Sequence, residues 1–212
     1  KCIPGMIMRT EIAKVSLKEL IPIITKDLKT PSLFIIDKGW WQDWSSSFSN
    51  LTNSNPSIIP IFVEVGQKLK CWCRLEEISE LALKNGITRD STVYAVGGGA
   101  TSDFAGLLAS LLLRGLDWVA IPTTLLSMVD AAIGGKTGIN SNYGKNLIGT
   151  FHLPRKVFLC ENFLSTLSDS QIMCGKGEII KYACINKELF ELIISEAPLS
   201  EIILACAHYK QG

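Results

Sequence analysis

The 212 residues carry almost no net charge, with 21 Lys and Arg against 20 Asp and Glu leaving +1. A nucleic-acid module shows a basic surplus, and a disordered chain joins high net charge to low hydrophobicity. At 47% hydrophobic residues this chain matches neither. Histidine is scarce: only His152 and His208 are present, so a His-rich catalytic metal site cannot be assembled from this chain alone. Long apolar runs are also missing. The stretch Phe104 to Leu113 stops at Arg114, well short of the roughly 18 apolar residues of a membrane span, and predicts a buried helix. Lys1 to Met6 contains no apolar run of the signal-peptide kind and no initiating Met, so a chain trimmed at its start is expected. The seven cysteines are odd in number and scattered, which predicts reduced thiols and a cytoplasmic protein. Cys71 and Cys73, flanking Trp72, stand too close for a usual zinc knuckle.

What is present is an alternation of strand and helix signals. Pro31 to Asp37 is a short apolar run ending in an acid, as in a buried parallel strand whose carboxyl edge meets a ligand crevice, and Ile58 to Val65 repeats it. Between them, Trp40 to Pro56 reads as a helix and a surface loop. Glu76 to Asn85 has helical spacing and a C-cap at Asn85-Gly86. Ser91 to Val96, Gly97-Gly98-Gly99 and Ala100 to Leu113 read as strand, glycine turn and helix. Trp118 to Ile121 and Lys156 to Cys160 add two strands. The pattern predicts an α/β fold with a mainly parallel sheet. From Gln171 to Ala207 it turns helical throughout, which places a domain boundary near Phe163 to Ser168. The expected units are 1–166, an α/β domain, and 167–212, the beginning of a helical domain. At about 45 residues the second is small for a domain and is expected to be cut short.

The glycine triplet lets backbone approach a ligand and aims helix N-terminal amides at an anion, although a tight turn alone explains it equally well. Asp103, one turn into the following helix, suits the macrodipole or a cofactor hydroxyl. Thr123 and Thr124 follow a strand end, where hydroxyls bind phosphate or ribose or cap the next helix, Leu125 to Val129, with Asp130 after it. Gly134 to Asn140, holding Lys136, resembles a phosphate loop but lacks Walker A spacing, which argues against a P-loop NTPase. Lys145 and Asn146 bring a second cation and an amide. Glu178 and Lys181 share a helix face, as a surface ion pair would.

In order and spacing, six blocks from about Pro31 to Ile185 resemble the 3-dehydroquinate synthase family of sugar-phosphate cyclases. The blocks are Gly97 to Asp103 with Arg114-Gly115, Ile121 to Leu126, Val129-Asp130, Gly134 to Asn140, Gly144 to Gly149, and Gly177 to Tyr182. The resemblance implies a Rossmann-like NAD-binding α/β domain, a helical metal and substrate domain, and an active site between them holding NAD and a divalent metal, zinc or alternatively cobalt. The implied reaction converts 3-deoxy-D-arabino-heptulosonate 7-phosphate, a phosphorylated seven-carbon sugar acid, to 3-dehydroquinate and phosphate in the shikimate pathway, with no net redox. The implied setting is a cytoplasmic homodimer with neither nucleic-acid nor membrane partners.

By the same resemblance, the cofactor-binding positions are Asp37, Val65, Gly66, Gln67, Lys68, Leu69, Lys70, Gly98, Gly99, Ala100, Thr101, Ser102, Asp103, Thr123, Thr124, Lys136, Lys145, Phe163, Leu164, Ser165 and Thr166. Asp130, Lys136, Asn146 and Lys181 fall around substrate, Arg114 reaches the phosphate across the dimer, and Glu178 is one metal ligand. The chain departs from the family at Gln67 and Gln171, where acids are usual, and at Ala100, where valine is usual. The family's two histidine ligands lie downstream of Gly212, so this chain alone is expected to be inactive. Two other readings stay open: a degenerate cofactor-binding module, and another cyclase or glycerol dehydrogenase-like metal enzyme.

Overall fold

The structure, a computed structural model, describes residues 9–28 and 30–212, without the side chains of Asn50, Asn53 and Ser54. The readings made at Lys1 to Met6 and at Cys2 lie outside the described residues.

Glu11–Lys14 (β1) leads through a Ser16–Glu19 capping box into Leu17–Asp27 (α1). Ser32–Asp37 (β2) is buried along its whole length, and the Asp37 side chain caps Lys38–Ser54 (α2) by accepting from the amides of Gly39 and Trp40. Ile58–Val63 (β3), a 3-10 turn at Gly66–Leu69 and Trp72–Lys84 (α3) follow. Thr92–Gly97 (β4) feeds Gly99–Leu111 (α4), and Asp117–Pro122 (β5) comes next. Lys136–Ser141 (β6) and Gly144–Phe151 (β7) precede Lys156–Leu159 (β8). Three helices close the chain: Asp169–Ala183 (α5), Lys187–Ile194 (α6) and Leu199–Gln211 (α7).

Six strands form one sheet in the order β1-β8-β5-β4-β2-β3, and every pairing in it is parallel. The chain moves outward from β2 to β3, then crosses back to place β4 on the other side of β2. That reversal opens a crevice at the carboxyl ends of β2 and β4, the position where open α/β sheets take ligands. The central strands are apolar because helices cover both faces. Trp118, Tyr94, Phe104 and Leu108 fill the layers with at most 2% exposure. No described helix is long and apolar enough to cross a membrane. The six cysteines among the described residues are free thiols.

Several boundaries move. The second strand stops at Val63 rather than Val65, because Val65 leaves the sheet and is 59% exposed. The helix after the glycines ends at Leu111 rather than Leu113, since Leu113, Arg114 and Gly115 all take positive φ and turn the chain into β5. The helix at Leu125 to Val129 becomes a short α turn running into a π turn at Ser127–Ala131, which contains Asp130 rather than preceding it. β1 and α1 carried no clear sequence signal: β1 is four residues at the sheet edge and only half buried.

The largest difference lies at the glycine-rich stretches holding Lys136 and Lys145. They form an antiparallel hairpin, β6 with β7, not an anion loop. Gly138 faces Gly149 across the strands, and a Cβ on Gly149 would stand 2.0 Å from the carbonyl oxygen of Thr137. Here glycine serves close backbone approach. The hairpin packs on α4 through Gly106, whose added Cβ would meet Thr137 Cγ2 at 2.4 Å and Trp118 at 3.1 Å. Gly106→Ala therefore should destabilise the fold by about 2 kcal/mol, overpacking outweighing the better helix propensity of alanine. Urea unfolding checks this, and a stabilised variant would show that the helix–hairpin contact has slack.

Candidate active site

The crevice floor is built from three strand ends. Asp37 ends β2; Gly98 links β4 to α4, whose first turn is Gly99 to Thr101; Thr123 and Thr124 follow β5. These line a cavity of about 350 Å³ together with Trp40, Thr166 and Gln171. The first amides of α4 have no acceptor within their own helix and face this space, a setting that favours an anion. Thr124 Oγ1 accepts from the Ser127 amide at 3.2 Å, so this threonine caps its helix as well as lining the crevice. Thr101 Oγ1 and Trp40 Nε1 are buried in the crevice walls with no hydrogen-bond partner among the described residues. Buried polar atoms left unpaired mark places where a ligand or water completes the bonding. Together with the glycine floor, they suit a dinucleotide.

A second cavity, about 320 Å³, lies between α4 and the hairpin and is lined by Asp103, Lys136, Asn146 and Thr150 among others. Behind two of its lining residues lies Lys70, whose side chain is 1% exposed and whose Nζ stands 2.5 Å from Asp103 Oδ2. The same ammonium bonds Asn146 Oδ1. The Asn146 amide donates to Asn140 Oδ1 at 3.1 Å, and Asn140 Nδ2 donates to Gln67 Oε1 at 3.0 Å, so Gln67 is tied into this network. Asn146 adopts φ 59, the left-handed conformation that asparagine tolerates well. Burial pushes the Asp103 carboxyl above its ordinary value, Lys70 pulls it partly back, and Asp130 adds to the rise.

Asp130 is held by α5 and α7. Tyr182 donates to Asp130 Oδ1 at 3.1 Å, and Lys210 Nζ lies 2.6 Å from the same oxygen. Lys181 pairs with Glu178 as expected, and that hydrogen bond is the main cause raising the Lys181 ammonium. Burial is the main cause raising the Tyr182 phenol, followed by hydrogen bonding to Glu178.

The predicted residues thus divide. Asp37, Val65, Gly66, Gly98 to Thr101, Thr123, Thr124 and Thr166 line the crevice. Asp103, Lys136 and Asn146 line the second cavity, with Lys70 bonded to Asp103 and Asn146, while on the helical side Asp130 pairs with Lys210 and Glu178 with Lys181. Leu69 and Phe163 are wholly buried, Phe163 among Trp40, Trp44 and Phe48, so their side chains build walls. Ser102 is buried without a side-chain partner among the described residues. Ser165 bonds back to Asn162, Leu164 is partly buried, and Lys68, Lys145 and Arg114 are exposed and line neither cavity. Gln171 accepts from the Ser168 amide at 3.0 Å in a capping box, a role that glutamine fills as well as an acid. Sequence reading missed Trp40, Tyr182 and Lys210 as parts of the site. Only the tertiary fold brings them there, and no local spacing signals it.

A parallel, doubly wound sheet with this glycine turn at its switch point defines a Rossmann-like α/β domain. A family model described as 3-dehydroquinate synthase N-terminal matches residues 60–174, and the chain belongs to that family. It is 41% identical over 167 residues to a 3-dehydroquinate synthase of Thermosynechococcus vestitus, covering 78% of this chain and 45% of that protein. To that of Prochlorococcus marinus it is 39% identical over 189 residues, covering 88% and 52%. The chain spans about half the length of these curated relatives. Among solved structures, a 2-epi-5-epi-valiolone synthase from Streptomyces hygroscopicus with NAD+ and Zn2+ bound superposes with TM-score 0.81 at 26% identity, covering 100% of this chain and 61% of that one. A glycerol dehydrogenase from Sinorhizobium meliloti, at 18% identity and TM-score 0.60, shares the fold alone; it covers 81% of this chain and 45% of that one.

Proposed function

We propose that this chain forms the NAD-binding part of a 3-dehydroquinate synthase acting on 3-deoxy-D-arabino-heptulosonate 7-phosphate, and that by itself it is inactive. The observation that carries the reading is the cluster of Lys70, Asp103, Lys136 and Asn146 beside the crevice. Cation, carboxylate and amide there suit a substrate with hydroxyl, carboxylate and phosphate groups. NAD would be held by Asp37, Gly98 to Thr101, Thr123 and Thr124, with Lys145 and the Val65 to Lys70 segment at its margin. When bound it supplies a reversible hydride acceptor. Lys136 and Asn146 orient anionic and hydroxyl oxygens, while Asp130, with Tyr182 and Lys210 on its carboxylate, accepts from substrate hydroxyls.

The divalent metal fits less well. Among the described residues no three His, Cys, Asp or Glu side chains converge, and Glu178 is a single donor already paired with Lys181. No role in the chemistry is therefore derived for a metal here. A domain boundary at 166/167 is supported by the last sheet element, β8, and by the start of α5 at Asp169. A homodimer in which Arg114 reaches the other subunit's substrate is supported by that residue's exposure and left-handed backbone. We place the protein in the cytoplasm on its six described free thiols.

Joining residues 1–212 to the remaining part of the Thermosynechococcus vestitus relative should give a chimera that releases phosphate and forms 3-dehydroquinate without accumulating NADH. In that chimera Lys136→Ala and Asn146→Ala should each lower kcat/KM about a hundredfold or more. A folded, cofactor-loaded chimera without turnover would contradict the proposal. Net NADH formation would instead favour a simple dehydrogenase.

A further inference from the structure

We propose that Cys71 and Cys73 form a reversible dithiol–disulfide couple, oxidised by hydroperoxides or small disulfides. Their sulfurs stand 2.8 Å apart, within about 0.8 Å of a disulfide bond length. This is the one sulfur–sulfur contact among the described residues. The backbone holds the pair ready. Cys71 is the N-cap of α3 in an extended conformation, its amide donates to the Leu69 carbonyl at 2.9 Å, and its carbonyl accepts from the Leu75 amide at 3.2 Å. Cys73 is exposed, Cys71 is half-buried and Trp72 between them is exposed, so the pair lies at a surface that small oxidants reach. Cys160 and Cys206 differ: they are buried, and burial pushes each thiol up to about 11.

The chemistry divides between the two sulfurs. The contact between the two sulfurs is the main cause raising the Cys73 thiol, which suits Cys73 to the second, resolving step. With hydrogen peroxide, the Cys71 thiolate takes the terminal oxygen, the O–O bond breaks, and hydroxide leaves. The Cys73 sulfur then displaces hydroxide from the sulfenic acid, the S–S bond forms, and the Cys73 proton leaves in water. In all, two thiols and one peroxide become one disulfide and two waters, a two-electron exchange. With glutathione disulfide, a mixed disulfide at Cys71 is resolved by Cys73, and two reduced glutathiones are released. A short exposed ring of this kind is readily reduced again, which makes the couple reversible. It adjoins Lys70, the buried partner of Asp103, but the inference does not depend on the function proposed above.

Trypsin cuts after Lys70 and Arg74, so both sulfurs fall in the tetrapeptide Cys71 to Arg74. The folded 212-residue chain is equilibrated in glutathione buffers of graded ratio, alkylated, digested and weighed. The couple predicts a tetrapeptide lacking two hydrogens and carrying no alkyl group, appearing at an oxidised-to-reduced glutathione ratio about tenfold lower than for the chain held in urea. A tetrapeptide doubly alkylated throughout, glutathione adducts without ring closure, or equal ratios for folded and unfolded chain would each overturn it.

Discussion

Asp103→Ala is expected to lower the unfolding free energy by about 3 kcal/mol, because it strands a buried ammonium. Lys70 is 1% exposed at its side chain against 21% for Asp103, so the lysine cannot turn to water when its partner goes. Asn146 alone then remains on it. At this chain length that cost corresponds to a melting point roughly 6–12 °C lower. Lys70→Met, which removes the buried charge itself and leaves Asp103 partly hydrated, should cost only about 1 kcal/mol. The order of the two losses separates this account from one in which the pair is a surface decoration. The pH dependence has a definite sign. The folded carboxyl of Asp103 lies above its ordinary 3.8, so the folded chain holds a proton there that the unfolded chain has released. As pH rises from 3.8 through the folded value, this group's contribution to stability falls. Asp103→Asn should remove that slope, as thermal melts across a pH series would show.

Gly98→Val is expected to reduce NAD affinity about a hundredfold or more, roughly 2.7 kcal/mol, while leaving the melting point within about 3 °C. Gly98 has φ −76, so an L side chain meets no backbone strain. Its Cβ would stand 3.3 Å from Thr124 Cγ2, inside the crevice and against its wall. The variant therefore fills the ligand space without breaking the fold. Calorimetric titration of NAD beside a thermal melt checks both halves, and an unchanged affinity would place the nucleotide elsewhere.

The parallel sheet and its crevice were legible because they rest on local patterns. Ser32–Asp37 and Thr92–Gly97 are short apolar runs, and the glycines stand where a strand must turn into a helix. The hairpin was not legible. Glycine at 134, 135, 138, 144 and 149 reads as loop when its real task, at Gly138 and Gly149, is to let two strands pass closely. The same limit hid the Asp130 partners, since Tyr182 and Lys210 lie 52 and 80 positions away along the chain. Lys70 was placed among the cofactor contacts by resemblance, yet nothing local shows that it is buried and holds Asp103 and Asn146 together.

The central claim is that NAD lies across the switch point of the sheet. Hydrogen exchange of the folded chain, measured with and without NAD, tests it most directly. The account predicts slowed exchange at residues 98–100, whose amides at the start of α4 have no acceptor among the described residues and line the crevice floor. Protection confined to the hairpin cavity, or none at saturating NAD, would contradict it.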